Sequence, residues 1–306
     1  MASGSLFSRW NFFIQKTLSL PVRERLEKVI LWIAILSFVI HLGLIFLTQM
    51  GFLTIDAALL QHPIAATYTP FSFILIYEVY LVIYYLPHSF TTYIGKQYEI
   101  ITLIIIRRLF KDLPSFSLSS PHPDLAASAP LLYDLLASLL LFFLIYLFYR
   151  ESKKLRQESW EDVSQRYPRL QEFINFKKIV AGLLAPLLLG MAIYSFWDSL
   201  KTIYLSPELA ESTFKNINHI FFDEFFTVLI VVDVFILLAS FFYSDEFHKV
   251  IRNSGFIIST ILIRLSFSVE DLYSILLMVG SVCFGILMLW IHNRFEQLQP
   301  DEPASR

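Results

Sequence analysis

The stretch Val29–Thr48, VILWIAILSFVIHLGLIFLT, is apolar almost throughout and carries no charged side chain. An α-helix needs about 20 apolar residues to cross about 30 Å of hydrocarbon, so this stretch predicts a membrane-spanning helix. Four further runs are long and apolar enough: Leu131–Tyr149, Ile179–Trp197, Phe225–Tyr243 and Leu272–Ile291. Three segments contain more charge and need shielding by neighbouring helices: Phe71–Leu86, Tyr93–Phe110 and Val250–Ser268. We expect an all-α membrane protein with about eight transmembrane helices.

The composition argues against a soluble globular domain. Of the 306 residues, 56% are hydrophobic and 16% are charged, whereas soluble domains have about 25% charged residues. The formal net charge of -2 provides no basic field for nucleic acid. Cys283 is the only cysteine, and no nucleotide-binding, zinc-protease or nucleophile-elbow motif occurs. We expect no catalytic residue, no metal and no other cofactor, and the chain is not predicted to be an enzyme.

The distribution of lysine and arginine predicts the orientation in the membrane. Residues 1–28 contain five basic residues, the loop 49–70 contains none, and residues 150–178 contain eight. Because cytoplasmic loops carry an excess of lysine and arginine, eight spans place both termini in the cytoplasm. The expected location is the inner membrane, crossed several times. Arg107, Arg108 and Lys111 are exceptions, because this topology brings them near the outer face.

The two halves of the chain repeat a pattern of polar residues. The matching positions are Glu78, Lys96, Gln97 and Arg108 in the first half, and Asp233, Arg252, Asn253 and Arg264 in the second. Four helices per half give both repeats the same orientation, so they are parallel repeats. The predicted organisation is an N-terminal cytoplasmic or interfacial segment, a first repeat, a charged cytoplasmic linker, a second repeat and a tail, at residues 1–28, 29–149, 150–178, 179–292 and 293–306.

The second half also carries a recognisable motif between Val232 and Ile291. An acid inside the second helix is followed by Phe-His, an arginine opening the third helix, a second arginine twelve residues later, and an acid in a polar turn. These positions are Asp233, Phe247-His248, Arg252, Arg264 and Asp271. In this pattern the second half resembles the PsiE family, the phosphate-starvation-inducible bacterial membrane proteins with four transmembrane helices. The family usually has Glu where this chain has Asp233. It also usually has a proline between Phe-His and the first arginine, which this chain lacks. The resemblance implies a fold and a membrane location, not a mechanism.

Asp233 is the leading candidate for chemistry, since it lies near the middle of an apolar run. An ionised carboxylate there is costly unless it is paired or protonated. The helical period places Phe226, Asp233 and Ser240 on one face. One interpretation is a carboxylate that binds a proton or an ion. The alternative is a structural pair with an arginine of a neighbouring helix.

Arg264, Thr260 and Asn253 share a second helical face, which we expect to point into the bundle. This stripe is interpreted either as a hydrophilic seam for an anion or water, or as interhelical hydrogen bonding with Arg264 paired to Asp223 or Glu224. In the first half, Gln97 and Arg108 repeat the spacing.

The remaining candidates lie near helix ends or among aromatic residues. Lys96 and Arg252 are predicted near the cytoplasmic face, where they can extend to lipid phosphates. Glu78 lies among four tyrosines, whose hydroxyls can hydrogen-bond it, and is interpreted like Asp233. His248 is predicted at a cytoplasmic turn.

Two function classes remain open. A transporter or channel for a small ion or proton follows from the duplicated intramembrane charges, and neutralising the acids would abolish a flux. A non-transporting scaffold or stress-response accessory would instead bind a protein partner through the linker. A lipid-modifying enzyme is a weaker alternative, because the polar groups are scattered. The lipid bilayer is the one certain partner, and nucleic acid is not expected.

Overall fold

The computed structural model describes residues 16–52, 63–112, 125–153, 168–205, 210–243, 246–269 and 271–298. Within these ranges the chain is helical and contains no β-strand. A short 3₁₀ helix covers Pro63–Thr67. The long helices are α1 (Leu20–Gln49), α2 (Tyr68–Tyr85), α3 (Phe90–Asp112), α4 (Leu125–Lys153), α5 (Pro168–Leu205), α6 (Ala210–Ser240), α7 (Phe247–Ser266) and α8 (Asp271–Leu298). The prediction of an all-helical chain is confirmed for the described residues.

Four of these helical segments are long and apolar enough to cross a membrane. They are Leu20–Gln49, Leu131–Lys153, Arg169–Met191 and Leu272–Leu298, which lie in α1, α4, α5 and α8. A shorter apolar segment, Thr69–Tyr85, lies in α2. These helices support a membrane protein. Eight crossings, tandem repeats and cytoplasmic termini stay predictions.

The apolar helices bury one narrow stripe and expose the rest of their apolar surface. On α1, the buried residues Ala34, His41 and Ile45 follow one another at intervals of seven and four residues, which is one helical face. Trp32 and Leu36 on the same helix are 72% and 60% exposed. An apolar surface of this extent is unfavourable in water and suits contact with lipid chains.

The chain divides into two compact units, and each unit combines segments from both halves of the sequence. The first unit contains the described residues of Met1–Tyr84, Arg107–Asp124 and Lys178–Leu229. The second contains those of Tyr85–Ile106, Leu125–Lys177 and Ile230–Arg306. These boundaries differ from those of the predicted repeats, so contacts between distant parts of the sequence decide the packing.

The core of the second unit is built on close helix contacts. Helix α8 packs against α7 and α4. Ser259 of α7 donates a hydrogen bond to the carbonyl of Ser281 on α8 at 2.6 Å, and the hydroxyl of Tyr98 lies 2.7 Å from the Ser259 hydroxyl. Gly285 leaves the space that the Tyr98 ring end occupies. Small residues let the backbones approach closely, as is common between membrane helices.

The predicted charged linker is partly helical. Residues 150–153 complete α4, and residues 168–178 begin α5, while residues 154–167 lie outside the described residues. Pro168 is the first residue of α5, where a proline suits the start of a helix. Of the terminal segments, residues 20–28 belong to α1 and residues 293–298 belong to α8. Residues 1–15 and 299–306 are not described.

Candidate functional site: a buried carboxylate cluster

Asp233 lies on α6 in the second unit and is completely buried, with 0% of its surface exposed. Phe226 and Ser240 are buried as well. The three residues that the helical period places on one face of α6 are thus all buried. Val231, two residues before Asp233 and so on the opposite side of the helix, is 64% exposed, as expected for a helix with one buried stripe.

Three side chains donate hydrogen bonds to the Asp233 carboxylate. Nη2 of Arg264, on α7, lies 2.7 Å from Oδ2 and forms an ion pair with it. The hydroxyl of Tyr93, on α3, donates to Oδ1 at 2.8 Å. Nε2 of Gln97 donates to Oδ2 at 3.4 Å. We call these four residues the Asp233 cluster.

The Asp233 cluster closes on itself through a further bond. Nη2 of Arg264 also donates to Oε1 of Gln97 at 2.7 Å. The guanidinium is almost as buried as the carboxylate, with 2% of its side chain exposed. Its Nη1 is buried with no hydrogen-bond partner among the described residues. Burying two charges costs several kcal/mol per ion, so the pair depends on these additional hydrogen bonds.

The polar stripe of α7 points inward, as the helical period predicts. Asn253, Thr260 and Arg264 are all buried. The predicted pairing of Arg264 with Asp223 or Glu224 is wrong, because its partner is Asp233, about two and a half turns further along α6. Glu224 is exposed.

A second acid–arginine pair lies in the first unit. Oε2 of Glu78 accepts a hydrogen bond from Nη2 of Arg107 at 3.1 Å, and only 3% of the Glu78 side chain is exposed. Two of the four nearby tyrosines, which the sequence suggests as hydrogen-bond donors to Glu78, donate to other groups. The hydroxyl of Tyr77 donates to Glu27 at 2.7 Å, and that of Tyr80 donates to the carbonyl of Thr17 at 2.9 Å.

The predicted repeat aligns Arg108 with Arg264, and so makes Arg108 the expected partner of Glu78. The observed partner is the preceding residue, Arg107. Successive residues of an α-helix point about 100° apart, so the two arginines leave α3 in different directions. Arg108 is half-buried. The predicted repeat therefore matches the two acids but not the arginines that neutralise them.

Lys96 pairs within its own helix. Its Nζ lies 2.7 Å from Oε2 of Glu99, and the hydroxyl of Tyr149 donates to Oε1 of the same carboxylate at 2.5 Å. The Lys96 side chain is 29% exposed, so it is open to a further partner. Its contact with lipid phosphates stays a prediction.

Arg252 and His248 lie in a polar cluster where α7 begins and α8 ends. Nη1 of Arg252 lies 2.7 Å from Nε2 of His292, and its Nη2 donates to Oδ1 of Asn253 at 3.0 Å. The rings of His248 and His292 stack with centroids 5.1 Å apart. Nε2 of His292 also lies 3.2 Å from Oε1 of Glu296. The predicted extension of Arg252 to lipid phosphates is replaced by these internal contacts.

Several of these residues were not predicted from the sequence. No sequence motif identifies Tyr93. His292 and Glu296 could have been noticed, because they are four residues apart on a helix, a spacing that places both on one face. Lys177, from the predicted linker, is another: it is buried, donates to the backbone carbonyl of His88, and lies over the ring of Phe90 at 5.3 Å.

No protein-family model matches the chain, and neither a curated protein nor a solved structure is significantly similar to it. The resemblance to the PsiE family therefore stays a prediction based on the motif from Asp233 to Asp271.

Proposed function

We propose that the chain is a multi-pass protein of the inner membrane, related to the PsiE family, that moves protons or another small cation across the bilayer. Its eight helices cross as two parallel four-helix repeats with both termini in the cytoplasm. The observation that carries the proposal is the complete burial of Asp233 beside Arg264 in the apolar part of α6 that follows Glu224. Ionisable residues inside membranes are expensive and mark ion and proton pathways.

In the proposed mechanism, the cargo cation replaces Arg264 at the Asp233 carboxylate. A proton or cation that binds Asp233 neutralises the carboxylate, and the guanidinium then loses its counter-ion. Gln97 already accepts a hydrogen bond from Arg264, so it provides the guanidinium with an acceptor after the exchange. The Tyr93 hydroxyl holds the carboxylate in place in both arrangements. Two such arrangements, differing in one ion pair, are what a gated ion pathway requires.

The test is ion and proton flux in liposomes that contain the purified protein. The wild type is compared with Asp233→Asn and Glu78→Gln, and with Glu224→Gln as a control, since Glu224 is an exposed acid on the same helix as Asp233. The proposal predicts a flux in the wild type and in the control that is lost in Asp233→Asn while the protein still folds. A folded wild type without flux of protons or monovalent cations contradicts it.

A second function is favoured by a different observation. Tyr93, Gln97 and Arg264 each donate a hydrogen bond to the Asp233 carboxylate. These bonds join α3, α6 and α7, as expected of a purely structural contact. The protein would then be a non-transporting scaffold or stress-response accessory that binds a partner through residues 150–178. Replacing residues 154–167 by a Gly/Ser chain of equal length would abolish its cellular role, and neutralising Asp233 in a folded variant would not.

The resemblance to the PsiE family supports a role in phosphate starvation for either function. A rise in the amount of this protein in phosphate-limited cells, relative to cells with excess phosphate, would agree with it. An unchanged amount would remove this part of the proposal and leave the flux experiment unaffected.

A further inference from the structure

We propose that His248, His292 and Glu296 form a binding site for a divalent transition metal ion of the Zn²⁺ class. This site lies in the second unit and shares no residue with the Asp233 cluster, so it does not depend on the proposed transport. Sequence patterns do not predict it, because the three residues come from two helices and match no metal-binding motif.

The three side chains lie close together at the start of α7 and the end of α8. His292 and Glu296 lie one turn apart on α8, and His248 is the second residue of α7. One ligand atom from each residue lies within 4.8 Å of the other two. Tetrahedral Zn²⁺ with bonds of about 2.0–2.1 Å needs ligand atoms about 3.3 Å apart. The ligand atoms, which lie up to 4.8 Å apart, must therefore approach one another when the ion binds.

The donor atoms match this class of metal. Two imidazoles and a carboxylate are ligands of Zn²⁺ and related ions, whereas Ca²⁺ and Mg²⁺ prefer oxygen alone. A fourth ligand is close: Oε2 of Glu246 lies 3.3 Å from Nε2 of His248. The three clustered residues thus provide two nitrogen atoms and one carboxylate, and Glu246 adds a second carboxylate beside His248.

Arg252 is the internal competitor of the metal. Its Nη1 and Oε1 of Glu296 both lie within hydrogen-bond distance of the same nitrogen, Nε2 of His292. A metal ion that binds this nitrogen must therefore displace the guanidinium from it. When a metal ion binds, Asn253 retains Arg252 through its existing hydrogen bond. Removing the charge of Arg252 should accordingly strengthen metal binding, since it removes a competing cation and its repulsion.

The experiment is a Zn²⁺ titration of the full chain, purified without a polyhistidine tag, treated with a chelator and measured against a fluorescent zinc indicator. We expect one Zn²⁺ per chain. His248→Ala, His292→Ala and Glu296→Gln should each weaken binding about tenfold or more, as loss of a supporting or direct ligand does. Arg252→Gln should tighten it. His41→Ala is the control, because His41 is a buried histidine of α1 in the first unit.

The outcomes separate a metal site from a structural cluster. Circular dichroism and gel filtration establish that each variant is folded, and tighter binding by Arg252→Gln cannot arise from misfolding. Absence of stoichiometric Zn²⁺ in the wild type overturns the proposal. Affinity equal to that of the wild type in the folded ligand variants overturns it as well.

Discussion

Replacing Gly285 by alanine tests the close packing of α8. An added Cβ at this position would overlap the hydroxyl of Tyr98 and lie 3.1 Å from Oγ of Ser259. The tyrosine ring end must therefore move, and its hydrogen bond to Ser259 is lost. Ser259 anchors α7 to α8 through the Ser281 carbonyl, so the disturbance reaches the contact between the two helices.

The expected magnitude follows from three effects. Overpacking of a filled interior costs about 1–3 kcal/mol. The lost hydrogen bond costs about 1 kcal/mol, and alanine recovers about 1 kcal/mol of helix propensity relative to glycine. The free energy of unfolding of Gly285→Ala should therefore fall by about 1–3 kcal/mol. At Gly280, on the same helix, an added Cβ meets nothing within 4 Å, so Gly280→Ala should be neutral or stabilising by up to about 1 kcal/mol.

The assay is equilibrium unfolding by sodium dodecyl sulfate in mixed micelles, followed by circular dichroism. The double variant Gly285→Ala/Tyr98→Phe lacks the clashing hydroxyl and should recover part of the loss. Equal stability of Gly285→Ala and Gly280→Ala would refute the packing of Tyr98 against α8, and so would a loss that Tyr98→Phe does not reduce.

Two further predictions concern the buried ion pairs and use the same unfolding assay. Asp233→Asn should cost about 3–5 kcal/mol, because it leaves the Arg264 guanidinium buried without a counter-ion, and the double variant Asp233→Leu/Arg264→Met should recover most of this loss. A double variant no more stable than Asp233→Asn would contradict the ion-pair explanation. Arg107→Gln should cost a similar amount by leaving Glu78 unpaired, whereas Arg108→Gln should cost clearly less. A larger loss in Arg108→Gln than in Arg107→Gln would contradict the contact between Arg107 and Glu78. It would instead favour Arg108 as the partner, as the repeat predicts.

The positions of the helices could be predicted from the sequence. Long apolar runs such as Val29–Thr48 form helices because every backbone polar group must be satisfied within the segment when no water is present. The same physics places the few polar residues of an apolar helix inside, since lipid provides no hydrogen bonds. Asp233 and the stripe of Asn253, Thr260 and Arg264 were therefore predictable as interior residues.

The partners of those residues could not be predicted in the same way. Whether Arg264 meets Glu224 or Asp233 depends on the axial shift of α7 relative to α6. The periodicity of a single helix carries no information about that shift. Whether Glu78 meets Arg107 or Arg108 depends on the rotation of α3 about its axis, where one residue corresponds to about 100°.

The sequence by itself determined an all-helical, apolar chain and the inward faces of its polar helices, because these properties depend on local hydrophobicity and helical period. Only the tertiary structure decided which charges meet, that the compact units combine both halves of the chain, and that His248 lies beside His292 and Glu296. These features depend on contacts between residues tens to more than a hundred positions apart. Such contacts arise from the packing of whole helices, whose shifts and rotations the side chains of several neighbours set together.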